Sequence, residues 1–172
     1  LIETVEKTGK IYLFAENYPY MLFNQEMRRL YQSGLIGEFK YGEGEYVHPM
    51  APEYSTRISP GVNHWRNWIP ATYYNTHSLA PVMYITDTRP VKVNGFVIAY
   101  DPDDEVHFGK TARRSDLASA IMVRMDNGAM VKLLKGSLRG GGVWVRIHGN
   151  KGAMENLRHG NRQMVCVRRE AF

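Results

Sequence analysis

Residues 72–81 read Thr-Tyr-Tyr-Asn-Thr-His-Ser-Leu-Ala-Pro, and they hold the side chains best suited to chemistry. A polar, irregular stretch turns there into an apolar helix, with Thr76 expected as its N-cap and Pro81 within its first turn. His77, Tyr73 and Tyr74 then share a small volume beside a helix start. Imidazole titrates near neutral pH, so a histidine so placed can give a proton to a bound polyol or take one from it. The competing reading of His77 is a capping or hydrogen-bonding residue. Tyr46, Trp65 and Tyr74 add aromatic faces with donors close by, a surface that suits sugars and ordinary packing alike.

The elements that must position these groups follow from periodicity. Residues 1–10 pattern as an amphipathic helix closed by Gly9, and residues 11–15 as a short apolar strand buried on both faces, as in parallel sheets covered by helices. Residues 21–32 carry a helical stripe ended by Gly34. Residues 36–47 alternate as a strand. Residues 48–71 hold four of the eight prolines and two of the three tryptophans with little periodicity, an irregular stretch of the kind that is usually functional. Residues 78–87 form a helix. Strands are expected over 91–100, 117–125, 129–134, 143–148 and 164–168, with turns at 126–128 and 140–142. The triple glycine 140–142 reads as a hairpin corner, since a phosphate-binding loop would lead into a helix. The fold class is therefore α+β, a mostly antiparallel open-faced sheet with helices on one face.

Composition narrows the function. The chain has 172 residues, 44% of them apolar, enough for one core. No apolar run reaches the roughly 20 residues of a membrane helix, so no membrane partner is expected. The net charge of +5 is spread along the chain, which argues against a nucleic-acid surface. Cys166 is the one cysteine, so neither an internal disulfide nor a thiolate metal site is expected, and a reducing, cytoplasmic setting is favoured.

Taken in order, the segments Gly9-Lys10-Ile11-Tyr12-Leu13-Phe14-Ala15-Glu16-Asn17, Gly34-Leu35-Ile36-Gly37-Glu38, Gly44-Glu45-Tyr46-Val47-His48, His64-Trp65-Arg66, 74–81, Arg89-Pro90-Val91 and Val145-Arg146-Ile147-His148-Gly149-Asn150-Lys151-Gly152 resemble the Gfo/Idh/MocA oxidoreductases. The resemblance runs from the last strand of that family's Rossmann domain through most of its C-terminal α+β domain. It implies a division into residues 1–18, the remnant of a dinucleotide-binding domain, and residues 19–172, a substrate-binding and oligomerising domain. It also implies NAD or NADP, held mainly by an N-terminal domain whose glycine fingerprint does not occur here. The family's Glu-Lys-Pro motif is absent too, so this part alone is expected to be inactive.

By the same resemblance His77 and Tyr74 are catalytic, Tyr46, Tyr73 and Tyr74 face the substrate, and Glu16, Asn17, Trp65 and Arg66 reach the cofactor. No metal is implied. The family often has an aspartate four residues before its histidine, where this chain has Tyr73. The run Tyr74 to His77 is similar instead to the branch of NAD-dependent α-N-acetylgalactosaminidases, although Asn75 stands where that branch has proline. Three readings follow: a nicotinamide-dependent oxidoreductase of a sugar or cyclitol, a redox-neutral glycosidase, or a non-catalytic assembly module. A homodimer or homotetramer is expected through the open sheet face, on which Ile121, Val123, Val131 and Leu133 are placed.

Overall fold

In the computed structural model, residues 1–105, 112–159 and 163–169 are described. They form a seven-stranded sheet in the order β2-β3-β4-β1-β5-β6-β7. The strands are β1 (Phe39–Val47), β2 (Pro90–Ile98), β3 (Ala118–Met125), β4 (Met130–Gly136), β5 (Val143–Gly149), β6 (Gly152–Asn156) and β7 (Val165–Arg169). Neighbouring strands run antiparallel except β1 and β4, which are parallel. The helices are α1 (Ile2–Thr8), α2 (Leu22–Gln32), α3 (Pro52–Ile58) and α4 (Thr76–Thr86). The α+β class and the mostly antiparallel sheet are as the alternation of the chain implies.

The core lies between the sheet and α2 and α4. Met27 of α2 and Val82 and Ile85 of α4 are fully enclosed against Val131, Val145 and Ile147. Alternation puts one side chain in two on this face, and on β3 the buried and exposed residues follow one another in step. Helix α4 comes unusually near the sheet because β1 offers glycine twice. A Cβ on Gly44 would collide with the Ser78 carbonyl, and one on Gly42 would press on the Phe39 ring and Val82. Two glycines on one face of a strand thus set the height of the helix that carries His77.

Several expectations are corrected. Residues 11–15 form no strand: Ile11 is 100% exposed and Leu13 79%, and among the described residues no strand lies beside them to complete a ladder. Asn75, not Thr76, is the N-cap of α4, and Pro81 sits inside the helix rather than in its first turn, where it cannot return a hydrogen bond to the His77 carbonyl. The 140–142 glycines are no hairpin corner, because β1 lies between β4 and β5. Their smallness serves a crossing, since a Cβ on Gly141 would strike Val47. The irregular stretch contains α3, and β6 escapes the periodicity because it is only five residues long.

The open face is also not the one expected. Ile121, Val123, Val131 and Leu133 are buried beneath the helices. On the far face lie ion pairs such as Lys132–Glu43 at 2.6 Å and Arg158–Glu45 at 2.8 Å. Exposed apolar area gathers instead on edge strand β2, with Val93 65% and Phe96 79% exposed. A one-residue shift of register exchanges the two faces of a strand, and the bulge between Pro90 and Lys92 marks where such a shift enters β2.

Gly44→Ala should destabilise the fold by about 1–3 kcal/mol, because a methyl group there must push back the α4 backbone and not a side chain that can rotate away. Denaturant unfolding of the two proteins at one pH measures it. The same change at Gly128, in an open turn, must be separated by its positive φ and is a poor control; Lys40→Ala, on the exposed part of β1, is the better one and should be near neutral.

Candidate active site

At the N-terminal end of α4 the helix leaves part of the sheet face uncovered, and four aromatic or imidazole rings fill it. His77 is held from both sides. Its Nδ1 lies 2.7 Å from Glu16 Oε1, and its Nε2 lies 2.9 Å from the Tyr74 hydroxyl. Tyr18 packs on the imidazole with centroids 4.3 Å apart, and Tyr46 meets it edge-on at 4.7 Å. The side chains of His77 and Glu16 are 14% and 8% exposed, so the histidine is no solvated cap.

Glu16 reaches this place through a short tether. Tyr18–Tyr20 forms a 3-10 turn around buried Pro19, and Asn24 of α2, itself fully buried, donates to the Tyr18 carbonyl at 2.8 Å. Burial alone would push the Glu16 carboxyl up, but hydrogen bonds from the Tyr18 N–H, Thr76 and His77 outweigh it and hold it below the usual carboxylate range. An ionised Glu16 accepts from Nδ1–H, so the tautomer assigned from these partners leaves the Nε2 lone pair to accept from the Tyr74 O–H. Tyr46 is raised by burial and by the neighbouring phenols Tyr18 and Tyr74, which keeps its hydroxyl neutral.

Beside this group opens a cavity of about 380 Å³, within the range of small-ligand sites. Tyr74 and Tyr46 form part of its wall, while His77 stands behind Tyr74 and does not line it. The opposite wall comes from the 48–71 stretch, which is tied down internally and to the start of β3. Asn67 donates to the carbonyls of Ser59 and Gly61, and the Ala71 N–H donates to Asp116. Two cations that sequence reasoning missed lie within this cavity wall, Lys135 and Arg113. Lys135 pairs in register with Tyr46 across β4 and β1, so both point to the helix side of the sheet. Its Nζ stands 5.5 Å from the Tyr74 ring centroid. Register with Tyr46 was the available signal, and it needs the parallel β1–β4 pairing that no local pattern announces.

The remaining candidates scatter. Tyr73 is 75% exposed and joins none of the ring contacts around His77. Trp65 is 62% exposed, with the Arg66 guanidinium 5.2 Å from its ring centroid, and Arg66 reaches the cavity rim. Asn17 is exposed and caps the 3-10 turn with its carbonyl, which accepts from the Tyr20 N–H at 3.1 Å. Among the described residues no cluster of histidine, cysteine, aspartate or glutamate could hold a metal, and no helix is long and apolar enough to cross a membrane.

Burial, and after it the charge of Arg113, bring Lys135 down to about 8 from its ordinary 10.5, with Asp116 offsetting part of the effect. Between those two values the unfolded chain binds a proton that the folded chain does not, so this group makes stability rise with pH across that window. Below it the ammonium is retained at a cost, of order 3 kcal/mol at the most. Lys135→Met should therefore raise stability at pH 7 by about 1–3 kcal/mol and flatten its rise between pH 8 and 10. Urea unfolding at several pH values measures both effects.

A family model of the GFO/IDH/MocA C-terminal domain matches residues 24–155. An α-N-acetylgalactosaminidase of Bacteroides fragilis is 33% identical over 91 residues, covering 49% of this chain and 21% of the relative. A glycosyl hydrolase family 109 protein of Phocaeicola vulgatus is 31% identical over 88 residues, 48% of this chain and 21% of the relative. The chain thus spans about a fifth of the length of these curated relatives. In fold it is similar to an oxidoreductase from Agrobacterium radiobacter solved with NAD+, L-tartaric acid and magnesium, at a TM-score of 0.70 and 15% identity over 91% of this chain and 43% of that one. A myo-inositol 2-dehydrogenase from Lactobacillus plantarum gives 0.67 at 17% identity, over 90% of this chain and 44% of that one. With the greater part of its length matched, the chain belongs to the GFO/IDH/MocA C-terminal domain family.

Proposed function

We propose that this chain is the substrate-binding part of a nicotinamide-dependent oxidoreductase acting on a sugar or cyclitol, with Tyr74 and His77 as its proton relay. The observation that carries the reading is the chain of hydrogen bonds Glu16–His77–Tyr74, which ends at a cavity wall. A substrate hydroxyl seated against Tyr74 passes its proton to the phenol oxygen as the phenol passes its own to His77 Nε2. Glu16 orients the ring and stabilises the imidazolium that forms. Tyr18 and Tyr46 shield the imidazole from water, and the aromatic faces of Tyr46 and Tyr74 receive the apolar face of a sugar ring.

NAD or NADP, when bound, supplies the hydride acceptor. The residues present suit such a group: Trp65 offers an uncovered ring and Arg66 a cation beside the cavity, a pairing fit for a heteroaromatic ring and a phosphate. Asn17, exposed next to Glu16, offers a further amide. Residues 1–18 are then the tail of a dinucleotide-binding domain, a reading supported by the uncovered apolar side chains of Ile11, Leu13 and Phe14. Uncovered β2 is the assembly surface in this reading, and a cytoplasmic setting goes with it. A second reading, the redox-neutral NAD-dependent glycosidase, is favoured by the α-N-acetylgalactosaminidases among the relatives.

Two experiments on the complete protein test this. With NAD and a panel of sugars, cyclitols and nitrophenyl glycosides, steady NADH formation supports the oxidoreductase, and aglycone release without net NADH supports the glycosidase. Neither product with any member of the panel contradicts both. His77→Gln and Tyr74→Phe should each lower turnover by about 10²- to 10⁴-fold, and by similar amounts, since the relay fails if either link is removed. Near-normal turnover per folded molecule in Tyr74→Phe would remove the phenol from the mechanism.

A further inference from the structure

Lys135 is at odds with its surroundings. It is 9% exposed, on a central strand, and none of the hydrogen bonds or ion pairs of the described residues engages its ammonium group. The contact it makes is with the Tyr74 ring, 5.5 Å from the centroid. A buried ammonium is ordinarily found with a carboxylate or a set of carbonyl oxygens, because its desolvation is otherwise uncompensated. Lys135 lines the same cavity as Tyr74.

Around it the cavity is basic. Arg113 lies in the same wall, fixed by Ser115 Oγ at 2.6 Å and Ser137 Oγ at 2.5 Å, and Arg66 stands at the rim. No aspartate or glutamate of the described residues lines the cavity. Asp116, whose charge reaches both Lys135 and Arg113, turns its Oδ2 to the Ala71 N–H. A neutral polyol leaves the Lys135 ammonium without an ionic partner. An oxyanion answers it with a charge-assisted hydrogen bond to Lys135 and leaves the ring free to lie on the tyrosines.

Resting on the reading of the site as a sugar site, we propose that its substrate is acidic: a sugar carrying a carboxylate or a phosphate, whose oxyanion seats on Lys135, within the field of Arg113, while a ring hydroxyl meets Tyr74. Lys135 is then the residue that sets specificity, and Arg113, held by its two serines, is a positioning residue for the field.

Calorimetric titration of the complete protein with D-glucuronate, D-galacturonate and glucose 6-phosphate, each against its neutral parent sugar at physiological salt, tests this. At least one acidic member should bind about tenfold or more tightly than its parent, and which one it is separates carboxylate from phosphate. Lys135→Met should abolish that preference and Lys135→Arg should keep most of it, with circular dichroism confirming the fold of each. Equal affinity for acidic and neutral sugars in the unaltered protein overturns the proposal and leaves the sugar reading standing, whatever the variants do. A preference that survives in folded Lys135→Met overturns it too. Binding of acetate or inorganic phosphate that depends on Lys135, without binding of any sugar, supports the oxyanion seat and sinks the sugar reading instead. Binding of no probe overturns both.

Discussion

The close approach of α4 to β1 is the constraint on which the rest of the site depends. At Gly44 the helix backbone rests on the strand backbone, with the Ser78 carbonyl in the space a side chain would take. That contact sets the position of His77, the preceding residue. It also leaves the sheet surface beyond the helix start open, so Tyr46 and Lys135, next along the same face, look into a cavity instead of a helix. The packed half of the face and the open half are consecutive stretches of the same strands.

The electrostatics follow from that placement. His77 is enclosed by rings that screen it from water, and an imidazole so enclosed needs polar partners on both nitrogens. Glu16 and Tyr74 are those partners, and they come from separate parts of the chain, one before α2 and one before α4. A carboxylate on Nδ1 determines which nitrogen carries the proton and so gives the Nε2–Tyr74 link its direction. Position 73 carries no aspartate, and the carboxylate on His77 comes instead from sixty-one residues before the histidine.

Much of the fold was legible because its strands and helices are strongly periodic: α2, α4, β1, β3, β4 and β5 all fall within a few residues of where alternation and helical stripes place them. His77, Tyr74 and Tyr46 could be picked out from the sequence, since two of them neighbour one helix start and the third lies near the end of a strand that carries two glycines. The acidic partner of His77 was not. Glu16 lay beside an apolar run that reads as a buried strand, and only the 3-10 turn at Tyr18–Tyr20, a local bend without periodicity, carries it to the histidine. Lys135 was hidden for a related reason. Its alternation with Leu133 marks a core face, and a lysine there looks like an end of the strand until the parallel pairing with β1 brings it level with Tyr46. The choice of sheet face failed because alternation supplies two faces and does not say which one the helices cover.

In the proposed relay Glu16 sets the protonation of His77, so that Tyr74 donates to Nε2. Nitrogen-15 NMR of the His77 ring near pH 8 tests it most directly, since the two ring nitrogens differ in shift according to which bears the proton. The expected spectrum is that of the tautomer protonated at Nδ1, lost or mixed in Glu16→Gln and retained in Tyr74→Phe. A ring protonated at Nε2 in the unaltered protein, or a tautomer indifferent to Glu16→Gln, would contradict it.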